Sequence, residues 1–198
     1  MIHWQEVLEY WFGPRDAPGY PEAKNEMWWK KDEAIDADIA RRFGPALAAS
    51  AEGALGAWRD TPDGCLGHII LVDQMSRNMH RGSGDMYAQD DLAAELSLVL
   101  AVSGHRFAHY HERMFALMPL MHAENVALQR LCVHLFDREV ALAANDDEKA
   151  MAENNLDFAI QHQVIVERFG RFPHRNALLS RTSTDEEEAF LNEPGSSF

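Results

Sequence analysis

The sequence predicts an all-α fold, a single helical domain over residues 1–191 built from antiparallel helix pairs. Two observations lead there: apolar residues recur at three-and-four spacing almost throughout, and apolar–polar alternation never persists long enough for a strand. A third is punctuation. Phe-Gly-Pro occurs at Phe12-Gly13-Pro14 and again at Phe43-Gly44-Pro45, close to the period of helical-hairpin repeats although the tetratricopeptide consensus itself is absent.

The elements follow in order. Trp4, Val7, Leu8, Trp11 and Phe12 share one helical face, and Gly13-Pro14 ends that helix. Ile35, Ile39 and Phe43 mark a second helix over 32–43, ended or kinked by Gly44-Pro45. Further helices are expected at 65–79, 90–103, 122–144 and 148–169, with a short one at 184–192. Leu92 to Val102 is apolar nearly all round, the pattern of a central buried helix. Breaks at 13–21, 60–64, 82–85 and 145–147 read as loops. Thr184 with Glu187 forms a capping box, and residues 192–198 read as a frayed tail with little to bury.

With 198 residues, 46% apolar, the chain can bury one sizeable core. A formal charge of −14 argues against nucleic-acid or anionic-membrane partners, which need a basic footprint. Cys65 and Cys132 are too few for a disulfide framework or a paired-cysteine metal motif, which suits a reducing cytoplasm. The N-terminus lacks the pattern of a signal peptide, and no apolar run reaches membrane-spanning length.

Against that acidic background, Glu167-Arg168-Phe169-Gly170-Arg171-Phe172-Pro173-His174-Arg175-Asn176 gathers three arginines and a histidine in ten residues. Planar guanidinium groups suit carboxylate or phosphate, and a turn at Pro173 fixes their neighbours. Upstream, Asp73, Arg77 and His80 or Arg81 continue the apolar stripe of Leu66, Ile69 and Ile70, with Asn78 beside Arg77, so the core face turns ionic. Asp73 and Arg77 stand at i and i+4, either a structural ion pair or part of a ligand site. His162 shares a face with Phe158, Ile165 and Phe169, a setting that keeps an imidazole neutral and able to act as a base. His122 and Glu124 follow Pro119 but stand two apart, which is no helical metal motif. His105, His109 and His111 read as helix-end and surface chemistry. Trp28 and Trp29 read as packing, and Asp185-Glu186-Glu187-Glu188 as a solvated first helical turn.

Several stretches together resemble the bacterial family called domain of unknown function 924. They are Trp4 with Tyr10-Trp11-Phe12; Trp28-Trp29-Lys30-Lys31-Asp32 with Asp36, Ile39 and Phe43; Leu71-Val72-Asp73-Gln74 with Arg77-Asn78; Pro119-Leu120 with His122, Glu124 and Gln129; and His162 leading into Arg168 to Asn176. The chain departs from that pattern at Met75 and Met79, where Phe and Ile are more usual, and at Ser180, where a Gly precedes Arg181. The resemblance implies a tetratricopeptide-like all-α superhelix and no established activity.

Function then rests on the residues. They suggest a small anionic ligand, phosphate or carboxylate, held at an Arg/His/Asp cluster. Arg77, Asn78, His122, Arg171, Arg175 and Asn176 are expected to bind it. His162, His174, Asp73 and Glu124 are expected to move protons if the protein is a His-dependent hydrolase or isomerase of an anionic metabolite. No metal or cofactor is called for. The competing expectation is a peptide-binding interaction module whose ionic motifs are structural.

Overall fold

A computed structural model describes residues 2–196, and every regular element among them is helical. The chain divides into two compact units, one of residues 2–81 and 85–119, the other of residues 82–84 and 120–196. The expected 192–198 tail lies only partly within the described residues; there, Ser196 is buried and its hydroxyl donates to the Leu191 carbonyl.

In the first unit, α1 (Trp4–Phe12) buries Val7, Trp11 and Phe12, the stripe the spacing predicts. It packs on α4 (Pro62–Ile69). The close approach depends on Gly67, where a Cβ would stand 2.9 Å from the Cβ of Trp4 and 3.1 Å from its carbonyl oxygen. Between them lie α2 (Asn25–Trp29) and α3 (Glu33–Ala51). Of the end or kink expected at Gly44-Pro45, the end does not occur. Asp32 caps α3 by accepting from Ala34 and Ile35, and the helix runs on through Pro45, because burial of Ala46, Leu47 and Ser50 outweighs the one hydrogen bond proline removes.

The expected 65–79 helix starts earlier, at Pro62 behind the Thr61 cap, and changes pitch: Ile70–Met75 is π-helical before α5 (Ser76–Met79) resumes. The π segment fills the centre of this unit, with Ile70, Leu71, Val72, Asp73 and Met75 all fully buried. Next come α6 (Asp90–Ser103) and α7 (Tyr110–His122). The first has the predicted bounds but is not buried all round: Ala93, Ala94, Leu96, Ser97 and Leu100 face inward while Val102 is 83% exposed. Phe115 of α7 meets Trp11, Phe12 and Trp28 edge-on. Trp28 also donates its indole N–H to the Trp11 carbonyl, so packing claims it; Trp29 remains 56% exposed.

In place of one helix over 122–144, α7 ends at His122 and α8 (Val126–Ala141) begins after a break. Asn125 caps α8 by accepting from Ala127 and Leu128. The buried amide of Gln129 donates back to the carbonyls of Met121 and Ala123, satisfying the backbone of the break. In the second unit α8 pairs along its length with α9 (Asp146–Phe169). Ile165, Val166, Phe172 and Phe190 form a core there, with Val126 and Phe169 packed against it. Phe190 belongs to α10 (Asp185–Leu191), whose capping box between Thr184 and Glu187 is formed as predicted. No helix among the described residues is long and apolar enough to cross a membrane.

Candidate functional site

The ten expected site residues fall into two sets: Asp73, Arg77 and Asn78 in the first unit, the other seven in the second. The first set is a closed ionic network. Arg77 contacts the Asp73 carboxylate at 2.8 Å and also donates to its backbone carbonyl at 2.6 Å. The other guanidinium nitrogen spans both oxygens of Asp90 at 3.0 and 3.1 Å. Burial disfavours the Arg77 charge, but Asp73 and Asp90 more than compensate and raise its pKa. Gln74 donates to the second Asp73 oxygen, and Asn78 donates to Asp36, which also accepts two bonds from Arg81. Asp36 and Asp90 were not anticipated, because the sequence places them 42 and 13 residues from their partners.

In the second unit the Arg168–Asn176 motif leads into a tight coil. Pro173–Arg175 is a 3-10 turn that continues to Ser180. The Arg181 N–H bonds the Asn176 carbonyl and the Ser180 N–H bonds that of Ala177, the paired closure of a Schellman motif. Ser180 takes the left-handed position of that motif, with φ 53°. The reversal brings Arg181 back to Glu124, whose carboxylate accepts from both of its terminal nitrogens and from the Phe172 N–H. Burial works to raise the Glu124 pKa, yet these hydrogen bonds hold it below the ordinary range. Arg171 meets Glu187 through two bonds of 2.6 and 2.7 Å. That hydrogen bonding is the main cause holding Glu187 down at about 2. Asn176 completes the arrangement by donating to Ser183 and Glu187.

Sequence reasoning missed both carboxylate closures. The acidic run 185–188 reads as solvated, but Glu187 is only 2% exposed. Its place three residues after the Thr184 cap was the available signal, since that position turns a Glu side chain back towards the preceding loop. Arg15 was missed entirely. It bonds both oxygens of Asp63 and also Glu112, and the Tyr20 hydroxyl donates to Glu112 as well. His111, expected at the surface, is buried beside Trp28.

Around Phe172 the remaining four expected residues converge. The Arg175 guanidinium lies 4.5 Å from the Phe172 ring centre and donates to the His122 carbonyl. The His162 and His174 rings each lie 5.5 Å from that ring, and the His122 and His162 rings are 6.4 Å apart. Arg175 and His162 are each 6% exposed; His122 and His174 are only part-buried. Burial drives His162 down to about 3, opposing the upward pull of its 2.7 Å bond to the Phe158 carbonyl. Burial, then Arg175, brings His174 to about 4, with Glu124 and the Ser196 backbone resisting. At neutral pH both are uncharged imidazoles beside a permanent cation. Among the described residues no group of three His, Cys, Asp or Glu side chains is placed to hold a metal.

The family model for a bacterial protein of unknown function, DUF924, matches residues 7–195. A solved structure of a protein of unknown function from Agrobacterium tumefaciens is similar over 96% of both chains, with 32% identity and a TM-score of 0.76. No curated protein matches the chain.

Proposed function

Because this chain belongs to DUF924, a bacterial family of unknown function, we propose a role from its residues alone: it binds a small carboxylate or phosphate through Arg175, with His122, His162 and His174 shaping the site. One observation carries the reading. Two imidazoles, those of His162 and His174, and the Arg175 guanidinium lie against the Phe172 ring, with the His122 ring next to His162, and the two imidazoles on Phe172 are held neutral. Arg175 then supplies the positive charge an anion seeks, while the imidazoles add polar contacts without crowding it with further cations. Arg171 and Arg181 contribute indirectly: paired with Glu187 and Glu124, they hold the turn that presents Arg175.

Binding is favoured over catalysis. A general base works best with a pKa near the working pH, and imidazoles at about 3 and 4 lie far below it.

The test is thermal unfolding of wild type, Arg175→Gln and His174→Ala with phosphorylated and carboxylated metabolites. A ligand at a hundredfold over its Kd adds about 2.7 kcal/mol, or roughly 5 to 10 °C at this size. The expected result is a shift with one anion class that Arg175→Gln abolishes and His174→Ala reduces. No shift with any anion sinks the reading.

A second reading, a tetratricopeptide-like module that binds peptides, is favoured by Trp29. Its exposed ring stacks on Phe115 next to Lys30 and Lys31, aromatic surface beside cations. A shift with peptides that Trp29→Ala removes would support it.

A further inference from the structure

We propose a second ligand site, in the first unit and independent of Arg175: the cleft bounded by α3, α5 and residues 85–89 takes a small uncharged molecule with an apolar body and one hydrogen-bonding group. The cleft has a volume of about 450 Å³, within the range of small-molecule sites. Ala40, Gly44, Ala48 and Ala51 recur at three-and-four spacing on α3 and form one smooth wall of it. A Cβ added at Gly44 would meet nothing within 4 Å beyond its own helix and chain neighbours, so this wall leaves room for an apolar guest.

Small side chains make space; the polar groups on the lining supply the chemistry. Ser76 is 1% exposed, yet it lines the cleft, and its hydroxyl has no hydrogen-bond partner among the described residues. A hydroxyl in such a buried residue lacks the bond that burial normally demands, and the polar group of a ligand supplies it. Ser76 opens α5 directly after the π-helical turn, a rare backbone form that recurs at functional sites. His80 stands one turn on, on the same side of the chain, and lines the same cleft; its half-buried ring also has no partner among the described residues. The other polar lining groups are engaged. Gln89 accepts from Ser50 and donates to the Leu47 carbonyl, and Asp85 already has an interaction partner.

Charge then selects the class of ligand. No lysine or arginine lines the cleft, and the nearby cations are occupied, Arg77 by Asp73 and Asp90 and Arg81 by Asp36. An anion finds no guanidinium or ammonium here. A hydroxyl beside an imidazole offers both donor and acceptor, which suits an alcohol, amide or ketone.

Benzyl alcohol and toluene are the probes, the same ring with and without a hydroxyl. Methyl 1H–13C spectra read binding at Ala48, Met79 and Ala88, all on the lining. The expected result is one saturating shift of these methyls with benzyl alcohol, and an affinity for toluene about three- to tenfold weaker, the effect of one net hydrogen bond. Ser76→Ala should bring benzyl alcohol down to the affinity of toluene and leave toluene unchanged. Ala48→Phe, at an exposed position, should abolish binding of both in a protein that still melts cooperatively. No saturable shift with benzyl alcohol, unchanged benzyl alcohol affinity in Ser76→Ala, or shifts that survive in folded Ala48→Phe overturn the proposal. Methyl shifts that instead follow protein concentration, with a sedimentation coefficient that Ala48→Phe lowers, would assign the cleft to a second copy of the chain and overturn it as well.

Discussion

Arg181 presents both terminal guanidinium nitrogens to the carboxylate of Glu124, 57 residues earlier in the chain, at 2.5 and 2.9 Å. The same carboxylate accepts the Phe172 N–H, so one acidic side chain ties the α7–α8 break to both ends of the coil that carries Arg175. Removing it leaves a backbone donor unsatisfied and a part-buried cation with only the neutral acceptors of Asn176 and Phe172. Glu124→Ala is expected to lose about 2–3 kcal/mol. Arg181→Ala should lose less, because Glu124 keeps the Phe172 N–H. Urea denaturation of both singles and the double checks this: the pair should couple by about 1–2 kcal/mol, and additive losses would mean that the contact carries no joint stability.

Ser180 occupies a left-handed conformation that costs a side-chain-bearing residue about 1–2 kcal/mol, with φ 53° imposed by the Schellman closure. Ser180→Gly removes that strain and gives back part of the gain through a more flexible unfolded chain. The expected net is a stabilisation of about 0.5–1 kcal/mol, or about 1–4 °C in Tm, with anion binding unchanged.

Two helical glycines should respond oppositely to alanine. A Cβ on Gly44 in α3 meets nothing within 4 Å beyond its own helix and chain neighbours, but Pro45 follows and disfavours a Cβ-bearing helical residue there, so Gly44→Ala should gain less than the full helix-propensity difference of about 1 kcal/mol. A Cβ on Gly67 in α4 runs into Trp4 at 2.9 Å, and Gly67→Ala should lose about 1–3 kcal/mol as α1 is pushed away. Paired melting curves decide it; equal shifts of one sign would contradict the close approach of α1 and α4.

Acid should destabilise the protein in two windows. His68, His162 and His174 fall from 6.5 to about 4, 3 and 4 on folding, burial being the largest cause for each. Between those values the unfolded chain holds protons that the folded one refuses. The stability is whole above pH 6.5 and declines as pH falls towards 4, by at most about 1.4 kcal/mol per pH unit for each histidine. The depressed carboxyls of Glu124 and Glu187 act lower. Their contribution is present above the unfolded value near 4 and is lost as pH falls through the folded values, about 2 for Glu187. Chemical denaturation from pH 8 to pH 3 should therefore show a decline already by pH 5.5, and His162→Gln should make it shallower.

Much of this was legible in the sequence where the determinant was local. The stripe of Val7, Trp11 and Phe12, the ends of α6, the Thr184–Glu187 box and the i,i+4 pair of Asp73 and Arg77 all depend on neighbours within one or two turns. The failures share a different cause. Gly44-Pro45 looked like an end or a kink because the burial that carries α3 past it comes from other elements. His122–Ala144 looked continuous because the break is satisfied by Gln129, whose amide reaches back six and eight residues. Arg171 looked available to an anion because Glu187 lies 16 residues from the guanidinium it neutralises, and Glu124 looked available because its partner Arg181 lies 57 residues on. Charge clustering revealed where ionic chemistry is concentrated; only the fold separates the arginines that meet Glu124 and Glu187 from the one that lies against Phe172.

The most direct test of that separation is a side-chain 1H–15N titration of the histidine rings with inorganic phosphate at pH 6, in wild type and Arg175→Gln. The rings of His122, His162 and His174 are expected to shift along one saturating curve in wild type and to stay still in the variant. Rings that remain unmoved in wild type up to millimolar phosphate, and equally with small carboxylates, would contradict an anion site at Arg175 and leave the whole ionic motif as scaffolding.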